Sequence, residues 1–429
     1  MRHPRPLIIT LVLVVVSTLT ACSRSQLPAP APSTSPVAAA TPKESGPMPL
    51  LAKGHPVDWW FVFKLNSGKF PDCAGAARGC PFGGTVQTYT DGQQYVFASN
   101  ESPSLKQGTG CAGDTVTDPV GATFDEVYNG SFHYLVWNDQ FYQDPQIAGC
   151  SGNSCSAPWG HSKGMLVWDD TGNGFVMQVT TPSWPAAGSK DHPRASDGNT
   201  LGCIKDDNVM VSQHFFALKL NKNDLVNILK ALENASVVTD PTNPQIVSNG
   251  GPADIEQLVS ALGKKSSSKA LATFNLSSGV EVISKPSNLN VPPWQMVSSI
   301  LGGVPLRTAT WWASPQIPTT DAATEIKCWD TSLATKPGAV EIAATGAWDG
   351  KTIGLTGGGS PDHNHAKIGV SLSGSNNYAI FGDMNQQGSL SGPNCKSSQN
   401  GRGGLFYVVN NADLSKSVKA LIAGDTEPQ

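Results

Sequence analysis

Gly160-His161-Ser162-Lys163-Gly164-Met165-Leu166-Val167 and Asn364-His365-Ala366-Lys367-Ile368-Gly369-Val370-Ser371 share one pattern: a histidine, a small residue, a lysine, then a β-prone run. On a strand, residues i and i+2 project to the same face. Each motif therefore aims an imidazole and an ammonium at one point, as a phosphate-directed site requires. The copies lie 204 positions apart, at residues 161 and 365, one in each half of the chain. A single His-x-Lys is a weak signal, and on spacing alone two solvated strand ends explain the pair equally well. Two copies in the same setting, one per half, are better evidence for such a site than one.

Working outward, short β-like runs dominate the first half. They include Asp58 to Leu65, Tyr134 to Trp137, Gly164 to Trp168 and Phe175 to Val179, with Asp170-Thr171-Gly172-Asn173-Gly174 as a hairpin turn between the last two. Apolar residues at helical spacing predict helices around Leu225–Leu232, Ile255–Leu262 and Leu414–Ile422. The pair Trp311-Trp312 has a strand-like setting. The polar segment from Glu233 to Gly250 divides the halves, giving residues 51–240 with the first motif and 241–429 with the second. The chain reads as α/β (α+β) with two lobes.

The N-terminus has Arg2 and Arg5, an apolar run from Leu7 to Val16, and Leu19-Thr20-Ala21-Cys22. The run is too short to span a bilayer and precedes small residues and a cysteine, so residues 1–21 read as a bacterial lipoprotein signal with Cys22 as the lipidated residue. Residues 22–50 are Pro-, Ala- and Ser-rich and read as a disordered tether. The expected location is the cell envelope, anchored by lipid in the outer membrane as Ser23 favours, or else extracellular. Apart from Cys22, eight cysteines remain, an even number that suits disulfides in an exported chain but does not reveal their pairing. With 29 basic and 33 acidic residues the net charge is −4, so attraction for a polyanion must be local to a cleft or grow in acid.

Longer stretches resemble the deoxyribonuclease II family. Val57-Asp58-Trp59-Trp60, Trp137-Asn138-Asp139-Gln140, the first motif, Pro182-Ser183-Trp184-Pro185 and the block Asp207 to Leu220 follow one another as in that family. Asn364-His365-Ala366-Lys367, Gly382-Asp383-Met384-Asn385 and Arg402-Gly403-Gly404 continue the series. The resemblance implies a phospholipase D-like fold in which two similar β-sheet halves, flanked by helices, give one His-x-Lys each to a single site. It also implies hydrolysis of double-stranded DNA without metal or cofactor, best in acid, leaving 3′-phosphate ends. His161, Lys163, His365 and Lys367 match the catalytic motifs one for one. There are two departures: Asn364 stands where an acid is usual, and Val179-Thr180 stands where a histidine is expected.

The chemistry suits those residues. DNA lacks a 2′-hydroxyl, so a neutral histidine attacks phosphorus to form a phosphohistidine while the other, protonated, serves the leaving oxygen. The two lysines steady the non-bridging oxygens. Asn138, Asp139 and Asn385 are supporting candidates for substrate contact, each with turn formation as the plain alternative. Lys64 and Arg402 read as solvated cations, with DNA backbone contact as the alternative. His55, His133, His192 and His214 read as surface or structural. Asp362, His363 and His365 form a weaker metal-ligand alternative. Two rival functions stand beside the nuclease, a phospholipid or other phosphodiesterase and a non-catalytic DNA-binding envelope lipoprotein. The sequence leaves a homodimer open. Replacing Cys22 with Ala is expected to leave unprocessed precursor, and membrane fractionation with N-terminal sequencing checks it.

Overall fold

The computed structural model describes residues 46–71, 73, 81–83, 93–141, 144–150, 152, 155–157, 159–195, 199, 201 and 210–428. Cys22, the signal segment and most of the tether lie outside the described residues, as do Cys80, Cys203 and the first three residues of the block beginning at Asp207. Two large sheets organise the fold. The first has eight strands in the order Val247–Ser248, His133–Asn138, Lys163–Trp168, Gly174–Val179, Gln213–Leu220, Trp59–Lys64, Tyr95–Ser99 and Ser102–Gln107. All its neighbours are antiparallel. The second has seven, in the order Ala272–Asn275, Glu281–Lys285, Gly404–Asn410, Tyr378–Gly382, Ile368–Ser371, Leu306–Ala309 and Val340–Ile342. Only its last pair is parallel.

The hairpin read at 170–174 joins Lys163–Trp168 to Gly174–Val179, with Trp168 opposite Gly174. The three helices expected from periodicity are Lys222–Ala235, Ala253–Ala261 and Ala412–Leu421. Asn221 and Asn411 cap the first and last by accepting from the main-chain N–H of Asp224 and Leu414, a contact that satisfies an otherwise orphaned donor. Two further helices, Pro119–Tyr128 and Pro293–Ile300, begin with proline in the first turn. Trp311-Trp312, read as strand-like, follows Leu306–Ala309 as irregular backbone.

The second sheet shows strict two-residue alternation. Phe381 and Tyr407 turn toward the first sheet, while Ile380, Phe406 and Val408 turn away and pack with Trp294 of the Pro293–Ile300 helix. Between the sheets, Phe61 stacks on Phe381 at 4.3 Å and Phe216 lies 4.8 Å from the same ring. Burying each such side chain contributes about 1.5–3 kcal/mol, and offset ring pairs add about 0.5–1.5 kcal/mol.

Beside this aromatic seam the backbones of the two sheets meet directly. Gly160 bridges Gly403, and Ser212 bridges Asn364, both in parallel sense. The carbonyl of Ala235, in the last turn of the Lys222–Ala235 helix, sits over the first bridge: a Cβ built on Gly403 would lie 2.1 Å from that oxygen. Only glycine permits this approach. Disulfides link Cys73 to Cys111, Cys150 to Cys155 and Cys328 to Cys395, which fits an oxidising, extracytoplasmic compartment. Among the described residues no helix is long and apolar enough to cross a membrane. Gly403→Ala is expected to lower stability by about 1–3 kcal/mol, the usual cost of overpacking, measured as the shift in urea midpoint.

Candidate active site

Strand ends from both sheets build the site. Lys163 opens its strand with His161 just before it, and Ile368 opens the next with Lys367 just before it. The backbone of each histidine is held by the opposite sheet: His161 N–H donates to Gly403 O at 2.7 Å, and His365 N–H donates to Ser212 O at 2.7 Å. The return bonds run from Gly403 N–H to Trp159 O at 2.8 Å and from Ser212 N–H to His363 O at 3.0 Å.

The rings are crossed in the same way. His161 Nδ1 lies 2.7 Å from the carbonyl of Asp383, just past Tyr378–Gly382. His365 Nδ1 lies 2.9 Å from the carbonyl of Thr180, just past Gly174–Val179, and 3.2 Å from Gln213 Oε1. A main-chain carbonyl only accepts, so Nδ1 carries the proton in both rings, and Nε2 of each neutral imidazole keeps its lone pair. Both histidines are 6% exposed.

The lysines are held differently. Lys163 Nζ donates to Asp139 Oδ1 at 2.6 Å, and Arg402 Nη2 donates to Asp139 Oδ2 at 2.9 Å and to Gly160 O at 2.7 Å. Lys367 Nζ donates to His365 O at 2.5 Å, inside its own motif. Asn364 braces that motif, its side chain accepting from Ala366 N–H and donating to Ala366 O. Arg402, read as a solvated cation, is thus tied into the site by its ion pair. Lys64 is 1% exposed and donates to Val211 O. The apolar run that contains it is a central strand covered on both faces, which buries the lysine at its end.

Asn138 and Asn385 stand at turns. The Asn138 amide donates to Thr181 O and Trp184 O and accepts from Gln140 N–H. Asn385 donates to Gln387 Oε1, three residues past the strand that delivers Asp383. The weaker metal alternative finds no convergence. His363 Nδ1 accepts from Ser360 N–H, whereas His365 turns to Thr180. Among the described residues no three His, Cys, Asp or Glu side chains are grouped to hold a metal ion.

Burial and charge act together on the titrations. Burial, then Lys163, hold His161 well below the ordinary histidine range. Burial, then Lys367, Lys163 and His161, do the same to His365. Each histidine thus feels charge from the other motif. Lys367 is lowered by burial and by Lys163. Burial alone would raise Asp139, but Lys163, His161 and Arg402 hold it well below the usual carboxylate range. Asp383 is pushed up to about 6 by burial, against bonds from Ser162, Leu405 and Gln178 that lower it.

Three neighbours carry no motif. His214, expected to be surface or structural, is fully buried behind the second motif: its Nδ1 accepts from Lys367 N–H at 3.1 Å. Its other nitrogen therefore faces Gln178 Oε1 as donor, at 3.3 Å. Gln178 in turn donates to Asp383 Oδ1 at 2.9 Å. Gln213 accepts from Thr180 Oγ1. The available signal was a glutamine inside the otherwise apolar Phe175–Val179 run, since a buried polar side chain needs a partner.

The family model for deoxyribonuclease II matches residues 49–426, which include both motifs and every strand of both sheets. The chain belongs to the deoxyribonuclease II family. Cell-death-related nuclease 7 of Caenorhabditis elegans is 23% identical over 374 residues, covering 84% of this chain and 83% of that protein. Deoxyribonuclease-2-alpha of Mus musculus is 26% identical over 274 residues, 58% of this chain and 68% of that protein. The Sus scrofa deoxyribonuclease-2-alpha is 28% identical over 158 residues, only 35% and 37% of the two chains. As a member of the deoxyribonuclease II family, this protein is a nuclease.

Asp139 is the carboxylate that both Lys163 and Arg402 engage; the Lys163 contact is buried and the Arg402 contact partly so. Asp139→Asn strands Lys163 as an unpaired buried charge, a loss of about 3–5 kcal/mol. A depressed carboxylate contributes stability above its unfolded pKa of about 3.9 and loses it as pH falls through the folded value. The deficit of the variant is therefore expected in full above about pH 4 and to narrow below it, as denaturation across that range will report.

Proposed function

We propose that this protein is a metal-independent endodeoxyribonuclease that cleaves double-stranded DNA in acid and leaves 3′-phosphate ends. The observation that carries this reading is the crossed pair of imidazoles. Each has Nδ1–H committed to a carbonyl of the opposite sheet and Nε2 left with a lone pair. One Nε2 attacks phosphorus in line, forming a P–N bond as the P–O5′ bond breaks. The second histidine, protonated on Nε2, gives its proton to the departing 5′-oxygen. It then takes a proton from water, whose oxygen displaces the first histidine and frees a 3′-phosphate. Lys163 and Lys367 face the charge that builds on the non-bridging oxygens.

Acid preference follows from the sign of the shifts. Both histidines are held below their ordinary pKa of about 6.5, so near neutrality both are uncharged and the proton donor is missing. Lowering the pH supplies the first proton, and mutual repulsion delays the second. The reading includes a duplicated, phospholipase D-like architecture. Its support is the matching central order of the two sheets, with the motif strands third and fifth in their sequences and asparagine-capped helices after Leu220 and Asn410. It also includes Cys22 as a lipid anchor that tethers the nuclease to the cell envelope.

The test is plasmid cleavage at about pH 5 in EDTA. His161→Ala and His365→Ala are each expected to abolish it, because nucleophile and proton donor act as one unit. Lys163→Ala or Lys367→Ala should cost about 3–4 kcal/mol of barrier. Wild-type products should carry 3′-phosphates, and activity should already fall within the acid range as the pH is raised toward neutrality, because both histidines lose their proton below the ordinary histidine range. Products with 5′-phosphates, or a requirement for added Mg²⁺, would overturn this mechanism.

A further inference from the structure

Lys64 and Lys285 occupy matching places in the two sheets. Lys64 ends Trp59–Lys64 opposite Gln213, the first residue of Gln213–Leu220. Lys285 ends Glu281–Lys285 opposite Gly404, the first residue of Gly404–Asn410. Both are buried, at 1% and 0% exposed. Lys64 Nζ donates to Val211 O at 2.6 Å. Lys285 Nζ donates to Arg402 O at 2.8 Å and to Asn400 O at 2.7 Å.

In each case the next residue along the chain is the one that grips a histidine. Ser212 follows Val211, and its carbonyl accepts from His365 N–H; Gly403 follows Arg402, and its carbonyl accepts from His161 N–H. The same geometry thus occurs twice, with only the lysine and the gripped histidine common to the two copies. We infer that Lys64 and Lys285 are positioning residues for the reaction: Lys64 sets the placement of His365, and Lys285 sets the placement of His161. This assignment rests on the two histidines being the catalytic pair.

A buried ammonium is costly unless its donors are used, and an alkyl side chain would fill either strand end without that cost. What the ammonium adds is three directed donors on a stiff central strand. They fix the peptide planes of residues 211 and 402 where the chain enters the edge of the cleft. Lys285 also holds the backbone of Arg402 itself, whose guanidinium spans Asp139 and Gly160 O. The bonds from the two ammonium groups run to main-chain carbonyls, of Val211 and of Asn400 and Arg402, so the effect passes through the backbone.

Full-length protein labelled with [15N]histidine allows a crossed test. The hydrogen-bonded Nδ1–H of each catalytic histidine gives its own downfield proton signal, assigned by loss in His161→Ala or His365→Ala. Lys285→Met is expected to shift the His161 signal and spare His365, and Lys64→Met to do the reverse. Each should lower kcat about 100-fold, the scale of a small misplacement at the reacting atoms, with KM changed less than about twofold. Where a methionine variant does not fold, the arginine variant is used with the same readout, since the larger guanidinium displaces the same peptide plane. Signals that stay put in both variants, or that move together in each, overturn the assignment. A rise in KM at unchanged kcat also overturns it and makes the lysines part of substrate binding. Retained cleavage in the two histidine variants would instead defeat the catalytic reading, while the crossed pattern still judges the lysines.

Discussion

Four backbone hydrogen bonds, two at Gly403 and two at Ser212, join the entry of each His-x-Lys motif to the start of an interior strand of the other sheet. The rest of the site depends on them. Buried main-chain donors and acceptors must be paired, and here those just ahead of the strand ladders are spent on aligning two histidines. Because the bonds are main-chain, they demand close backbone approach, and the glycine under the Ala235 carbonyl is the residue that allows it. The Phe61, Phe216 and Phe381 rings hold the sheets at the spacing the bonds require.

The same junction sets the electrostatics. Lys163, Lys367 and Arg402 converge on a buried region where Asp139 is the carboxylate in direct contact with two of them. Asp383, its carboxyl raised to about 6, is only partly ionised in mild acid. The local balance is therefore cationic, although the whole chain carries a net charge of −4. Fixed donors in a dry cleft need little rearrangement to meet a phosphate. The cost is borne by the histidines, whose protonated forms are disfavoured by burial and by the same lysines that would greet the substrate.

Much of this was legible in the sequence, and the reason is local. His-x-Lys before a strand, Asp-Thr-Gly-Asn-Gly between two apolar runs, and an asparagine ahead of a helical apolar stripe are patterns contained within a few residues. The motif pair pointed to residues that the fold brings together, and the neighbouring Asp139 was close enough in the chain to be noticed. What stayed hidden depends on register between strands distant in sequence. Lys64 looks like a solvated cation until its strand is seen between Gln213–Leu220 and Tyr95–Ser99. Likewise His214 and Gln178 come together through pairing of the Gly174–Val179 and Gln213–Leu220 strands, and reach Lys367 and Asp383 only where the second sheet packs on the first. The helices Pro119–Tyr128 and Pro293–Ile300 were missed because both are largely buried and carry little polar face to set a helical period.

The crossed supports also bear on when the protein can be dangerous to the cell that makes it. His161 takes its backbone partner from Gly403 and its ring partner from Asp383, both supplied by the last fifth of the polypeptide. A chain still being synthesised, or one clipped before those residues, has the first motif but nothing to orient it. Orientation of the first histidine thus waits until residues 383 to 403 have been made and folded against it.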